Sequence, residues 1–154
     1  MNSNPLIKRR GAIIIDCLMA VFVLGLGAAS FYSLFPTYKR AETVAAQEAK
    51  ASQMAARLVE NLQLLHASNF TASTLSSLHL IDDGQTQPPY SFSHIPMDEA
   101  SMYSPAQSLP NGTGSMAVTT LSGNSVRAVI TITWRTPSGT TRSLTTGTIV
   151  GGYR

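Results

Sequence analysis

A single cysteine, Cys17, stands in 154 residues, so no intramolecular disulfide can form and packing must hold whatever domain the chain builds. Charge is scarce as well: Asp, Glu, Lys and Arg make up 12% of the chain and the formal net charge is +3. Three adjacent cations, Lys8, Arg9 and Arg10, carry that excess, and without them the side-chain charge falls close to zero. A nucleic-acid-binding surface therefore lacks its electrostatic footprint. Catalytic signatures are missing too. His66, His79 and His94 are widely separated and show no paired metal-binding spacing. No Gly-x-Ser-x-Gly elbow occurs, and the glycine-rich pieces carry no phosphate-binding lysine. Asp82-Asp83 and Asp98-Glu99 lack the ladder of ligands a calcium loop needs and read as solvated turns. The expectation is a non-enzymatic chain with no metal or cofactor.

What is present lies at the start. Lys8-Arg9-Arg10-Gly11 directly precedes an almost purely apolar run from Ala12 to Phe35, whose only charge is Asp16. At about 1.5 Å per residue this run reaches roughly 36 Å as a helix, enough to cross a bilayer with some tilt. It exceeds the apolar core of an ordinary secretory signal, which runs to about 15 residues. A carboxylate inside such a segment costs about 2.5–3.5 kcal/mol on insertion scales, which makes Asp16 a functional candidate by default. The three N-terminal cations, against Lys39 and Arg40 at the far end, bias the N-terminus toward the cytoplasm. Pro36 predicts a bend or break where the apolar run ends.

From Thr37 to His66 the chain turns to strong helix formers with no Gly or Pro. Ala41, Val44/Ala45, Ala51, Ala55, Leu58, Leu62 and Leu65 recur at helical spacing, with Glu48 interrupting the face. Asn69 to Ser77 reads as a weakly structured Ser/Thr-rich connection, and Leu78 to Ile81 as a short strand. The prolines at 88, 89, 96, 105 and 110 predict an extended loop over residues 84–115. Strands follow at Met116 to Leu121, Ser125 to Arg135 and Thr140 to Val150, the second alternating Val126, Ala128, Ile130, Ile132 and Trp134 with more polar residues. The fold class expected is α+β: a long N-terminal helix, membrane-spanning in its first half and amphipathic in its second, packed on a small antiparallel sheet.

Lys-Arg-Arg-Gly followed by Ala-Ile-Ile-Ile-Asp-Cys-Leu-Met-Ala-Val resembles the start of a type IV prepilin or type II secretion pseudopilin. Such chains carry a short basic leader ending in Gly, cut after that Gly, and an acid at the fifth mature position. Here Ala12 stands where Phe is usual and Asp16 where Glu is usual. The resemblance implies a leader over residues 1–11, processing between Gly11 and Ala12, a transmembrane and assembly helix over 12–36, an amphipathic helix over 37–66, and a small periplasmic domain over 67–154. It further implies a non-enzymatic minor pilin or pseudopilin of the inner membrane, processed and N-methylated by a prepilin peptidase. Assembly with other pilin or pseudopilin subunits would run through an inner-membrane platform, with Asp16 as the assembly residue. Two alternatives keep the anchor and change the outer role: a signal-anchored periplasmic binding protein, and a filament-tip adhesin using the 84–115 loop.

Overall fold

The computed structural model describes residues 14–95, 104–121 and 124–151, with residues 5–13 as helical backbone alone. The chain divides into two compact units, Met1–Glu42 and Thr43–Arg154. One helix, α1, runs through Pro5–Gln63, and its second part belongs to the second unit. A short 3-10 turn at Ala67–Asn69 follows, then α2 (Ala72–Ser77), β1 (Tyr90–Ser91), α3 (Pro105–Ser108), β2 (Thr113–Leu121), β3 (Ser125–Arg135) and β4 (Thr141–Gly151). The sheet is antiparallel with order β1-β2-β3-β4, a meander in which each strand pairs with its sequence neighbour. This is the α+β class expected from the sequence.

Period-two patterning fixes the sheet's two faces. Val126, Ala128, Ile130, Ile132 and Trp134 of β3 are all buried. Their register partners Met116 on β2 and Val150 on β4 are buried beside them. The opposite face carries Thr119, Arg127, Thr131, Thr145 and Ile149. A one-residue slip would exchange these sets, so burial of one face locks the register.

The α1 segment beyond Thr43 supplies a second part of the core, and the stretch from Ala67 to Leu109 a third. Gln47, Ala51, Met54, Ala55, Leu58 and Leu62 are buried at spacings of three and four, one stripe of a helix. Two polar contacts pin its position along β4: Glu48 pairs with Arg142, and Gln63 Nε2 donates to Thr148 Oγ1 at 3.2 Å. Glu48 thus interrupts the apolar stripe because it reaches the sheet's rim. Both partners are about half exposed, at 47% and 50%, so the pair contributes roughly 0.2–1 kcal/mol. Beside it, Gln47 Oε1 and Trp134 Nε1 are buried with no hydrogen-bond partner among the described residues, a polar blemish in an otherwise apolar interface.

Several sequence expectations need correction. Pro36 neither ends nor breaks α1, although it lacks the N–H that would bond the carbonyl of Tyr32. The helix instead stops at Gln63 rather than His66, because His66 turns to extended backbone (φ −78, ψ 148) to start the 3-10 turn. Asn69 to Ser77 is no loose connection: α2 forms there, capped by Thr71, whose side chain accepts from the Thr74 amide.

Leu78 to Ile81 is no strand either. His79 adopts φ 54, its N–H bonds the carbonyl of Ser76, and the Leu80 N–H bonds that of Leu75. This pair of bonds is a Schellman motif, completed by burial of Leu75 and Leu80 together.

The 84–115 stretch is also more ordered than its prolines suggest. It contains β1, α3 with Pro105 at its start, and the first residues of β2. Two glycines explain how so tight a path is possible. A Cβ at Gly112 would lie 2.0 Å from the carbonyl oxygen of Pro105, and one at Gly114 would lie 2.3 Å from the Phe92 ring. Residues 96–103, including Asp98-Glu99, lie outside the described residues.

Candidate membrane and assembly helix

The first unit offers one feature. Every described residue of α1 from Ile14 through Glu42 is exposed. These include Ile14, Ile15, Leu18, Met19, Val21, Phe22, Val23, Leu24, Leu26, Phe31 and Leu34, each more than half exposed. The most apolar stretch has a mean hydropathy of 2.2 and none of it is buried. One helix is thus long and apolar enough to cross a membrane. A continuous apolar surface of this extent does not persist in water; it requires lipid or other apolar helices around it.

The polar residues inside this segment satisfy themselves locally. Ser30 Oγ donates to the carbonyl of Leu26 at 2.9 Å, and Ser33 Oγ to that of Ser30 at 2.8 Å. Such back-bonding keeps a hydroxyl paired in an apolar medium. Tyr32 and Tyr38 are 76% and 69% exposed, and Lys39 pairs with Glu42 at 3.0 Å. Tyrosines followed by charges are the pattern of a helix leaving the hydrocarbon for the headgroup region.

Asp16 sits within the apolar surface, exposed between Ile15 and Cys17, with no ion pair among the described residues. Of the other site residues the sequence singles out, Lys8, Arg9, Arg10, Gly11 and Ala12 fall in the backbone span of α1, but their side chains lie outside the described residues. Gly25 and Gly27 meet no atom within 4 Å of a built Cβ, so no contact within the chain requires their smallness.

The second unit holds a polar cluster that spacing does not reveal. Asp82, far from being a solvated turn, is half-buried. Its Oδ2 accepts from Ser91 Oγ (2.6 Å) and the Ser93 amide (3.0 Å), and its Oδ1 from the His94 amide (2.8 Å). Gln85 adds a second clasp: its Nε2 donates to the carbonyl of Ser91 at 2.7 Å while its Oε1 accepts from the Ser91 amide. Ser93 Oγ accepts from the Gly114 amide at 3.0 Å, and Ser104 Oγ donates to the Ser93 carbonyl. Partners six to twenty-one residues apart leave no local signature in sequence.

The oxygens of Asp82 are taken by two backbone amides and the Ser91 hydroxyl, so the cluster ties residues 82–94 together. Among the described residues no group of three His, Cys, Asp or Glu side chains is close enough to hold a metal ion. His66, His79 and His94 are exposed, and His79 serves the helix terminus described above. Two shallow surface depressions flank the C-terminal end of β4, one beside Leu64 and Ile149 and the other beside Leu121 and Ile149. Comparison with protein-family models, with curated proteins and with solved structures found no match. The chain is a membrane-associated α+β protein in which an N-terminal apolar helix continues into a helix packed on a small antiparallel sheet, an architecture consistent with pilin-like proteins.

Proposed function

We propose that this chain is a minor pilin or pseudopilin, a non-enzymatic subunit stored in the inner membrane and assembled into a filament through α1. One observation carries the reading: α1 is a single helix whose apolar run, with Asp16 as the lone charge between Ala12 and Phe35, is exposed at every described residue, and whose later residues are buried in the core of a small β domain. A cleavable signal would not need that continuity, and a plain anchor would not need the carboxylate. In the bilayer the apolar surface faces lipid; in a filament it faces other helices. Extraction exchanges one apolar environment for another, so packing and charge pairing can offset its cost.

On this reading the N-terminus is cytoplasmic, the domain is periplasmic, and a prepilin peptidase cuts between Gly11 and Ala12. The new amine then lies four residues from Asp16, one helical turn away on the same face. The carboxylate neutralises that amine during storage, or the amine of a neighbour after assembly. Desolvation offsets much of the gain, so the pair acts chiefly to set register between subunits.

Intact-mass analysis of membrane-purified protein, from cells with and without a prepilin peptidase, tests the processing step. The mature chain should begin at Ala12 only when the peptidase is present, and Gly11→Val should retain Met1. A start near Ala29 would point instead to signal peptidase and end the pilin reading. Asp16→Ala should be processed and inserted normally yet crosslink poorly to partner subunits, whereas Asp16→Glu should retain crosslinking. Equal incorporation of Asp16→Ala and wild type would remove the assembly role.

A further inference from the structure

Among the described residues of the second unit, the large apolar side chains left exposed are Leu64, Leu78, Leu121 and Ile149. All but Leu78 gather at one place. Ile149 borders both surface depressions, the one at the end of α1 with Leu64 and His66, and the one on the outer face of the sheet with Leu121, Arg127 and Gly147. The outer depression stays open at position 147, where even a Cβ would lie 3.0 Å from the Ala128 carbonyl oxygen. An exposed charge stands at each. Arg127 lines the outer depression as the register partner of Ile149. Glu60 lies one helical turn before Leu64, whose N–H still bonds its carbonyl at 3.3 Å. Neither side chain has a hydrogen bond or ion pair among the described residues. Glu60 is alone in this among the described carboxylates of the unit: Glu48 pairs with Arg142, and Asp82 and Asp83 accept serine hydroxyls.

We propose that this patch is a contact between two copies of the chain, isologous about Ile149, in which Glu60 and Leu64 of each copy meet Arg127 and Leu121 of the other. Charge complementarity selects a second copy. Within one copy the pair cannot form: α1 packs on the buried face of the sheet, with Gln63 reaching Thr148, whereas Arg127 lies on the opposite face. Across a twofold axis it forms twice, since acid and base flank the same residue from opposite sides. Leu64, the most exposed large apolar side chain of the unit, supplies the projection, and the depression over Gly147 supplies the recess. A carboxylate accepts two parallel N–H bonds from a guanidinium. An arginine set among apolar groups is also the composition of an interface centre. The contact is small, but copies held in one membrane share an orientation and a raised effective concentration. The proposal needs membrane association and does not depend on the pilin reading.

Disulfide trapping on the full chain in membrane vesicles tests it, in a Cys17→Ser background. Ile149→Cys, at the twofold axis, should give a covalent dimer under mild oxidation. Thr141→Cys, exposed on the same strand and about 27 Å away, should give little. No dimer from Ile149→Cys, or equal yields at the two positions, would overturn the contact. So would trapping of Ile149→Cys on a different protein in place of a second copy.

Charge reversal separates the patch from association through α1. Arg127→Glu or Glu60→Arg, added to Ile149→Cys, sets like charges against each other and should lower the dimer yield several-fold. The two reversals together restore opposite charges and should recover most of the yield. That recovery also excludes altered thiol reactivity as the cause, because the double variant carries the Arg127→Glu change beside the thiol as well. Both positions are exposed, so the melting temperature should not move. A yield unchanged by either reversal would assign the encounter to the helix. A double variant no better than the single ones would show that residues 60 and 127 do not meet, and either result would overturn the proposal.

Discussion

Asp82 and Asp83 are adjacent, carry the same charge and look alike in sequence, yet their substitution should differ by several-fold in effect. Asp83 is exposed and accepts one hydroxyl, from Ser76 at 2.9 Å. Asp82 accepts three groups at 2.6–3.0 Å, two of them backbone amides. Through them it holds the segment that delivers Tyr90, Phe92 and Ile95 to the core, at 4%, 2% and 7% exposure. Asp82→Ala leaves the amide of buried Ser93 with only a weak contact to Ser91 Oγ at 3.4 Å. A net hydrogen bond to a charged acceptor contributes about 1.5–3 kcal/mol when buried. Discounting for the half-exposed carboxylate and for non-additivity within one cluster, the loss is about 3 kcal/mol.

For a domain of this size that lowers the melting temperature by roughly 10–20 °C. Asp83→Ala should change stability by no more than about 1 kcal/mol. The assay is thermal and denaturant unfolding of a fragment beginning at Thr43, followed by circular dichroism. Asp82→Asn adds a finer check, because it keeps the shape but replaces one acceptor oxygen with a donor facing an N–H; it should fall between wild type and Asp82→Ala. Equal melting temperatures for the Asp82→Ala and Asp83→Ala fragments would refute the reasoning.

Two further substitutions probe the core with the same assay. Leu62 is fully buried, so Leu62→Ala should cost about 2–5 kcal/mol, while Leu64→Ala, at 86% exposure, should stay within about 0.5 kcal/mol of wild type; reversal of that order would mean the helix turns another face to the sheet. Gly114→Ala forces a methyl against the buried Phe92 ring and should cost about 1–3 kcal/mol, with Phe92→Leu in the same chain recovering part of the loss, as a double-mutant cycle would measure.

Much of this fold was legible because its signals are local and periodic. Val126 to Trp134 alternates cleanly, and Leu58 and Leu62 mark a helix face without help from tertiary structure. What was not legible depends on long-range satisfaction of polar groups. β1 exists because Gln85 and Asp82 complete its outer edge, and no spacing rule connects residue 82 with residue 93. Proline density over 84–115 was misleading for a related reason: Pro105 begins a helical turn, where its missing N–H costs nothing. Pro36 misled in the opposite sense, since one lost hydrogen bond is small against the length of a helix of 59 residues. At the candidate site, Asp16 and its apolar setting are readable in the sequence, because a single charge in a membrane-length run stands out against its neighbours.

The division of α1 gives the two aspartates opposite tests. Among the described residues the buried hydrophobic core lies between Ala51 and Val150, far along the chain from Asp16. A defect in Asp16→Ala therefore cannot arise from unfolding of the β domain, and must lie in insertion, processing or association of the apolar segment. Asp82 stands on the other side of that division, where loss of the carboxylate loosens β1 and the residues it carries into the core. If the helix serves as storage anchor and filament core in turn, its first part changes environment while the buried hydrophobic residues of the described core, from Ala51 to Val150, keep theirs. The helix contribution to the domain's core comes from the stretch between Gln47 and Leu62, where Ala51, Met54, Ala55, Leu58 and Leu62 are buried. Folding and assembly then rest on separate stretches of one continuous helix, and a single substitution in either should disturb one without the other.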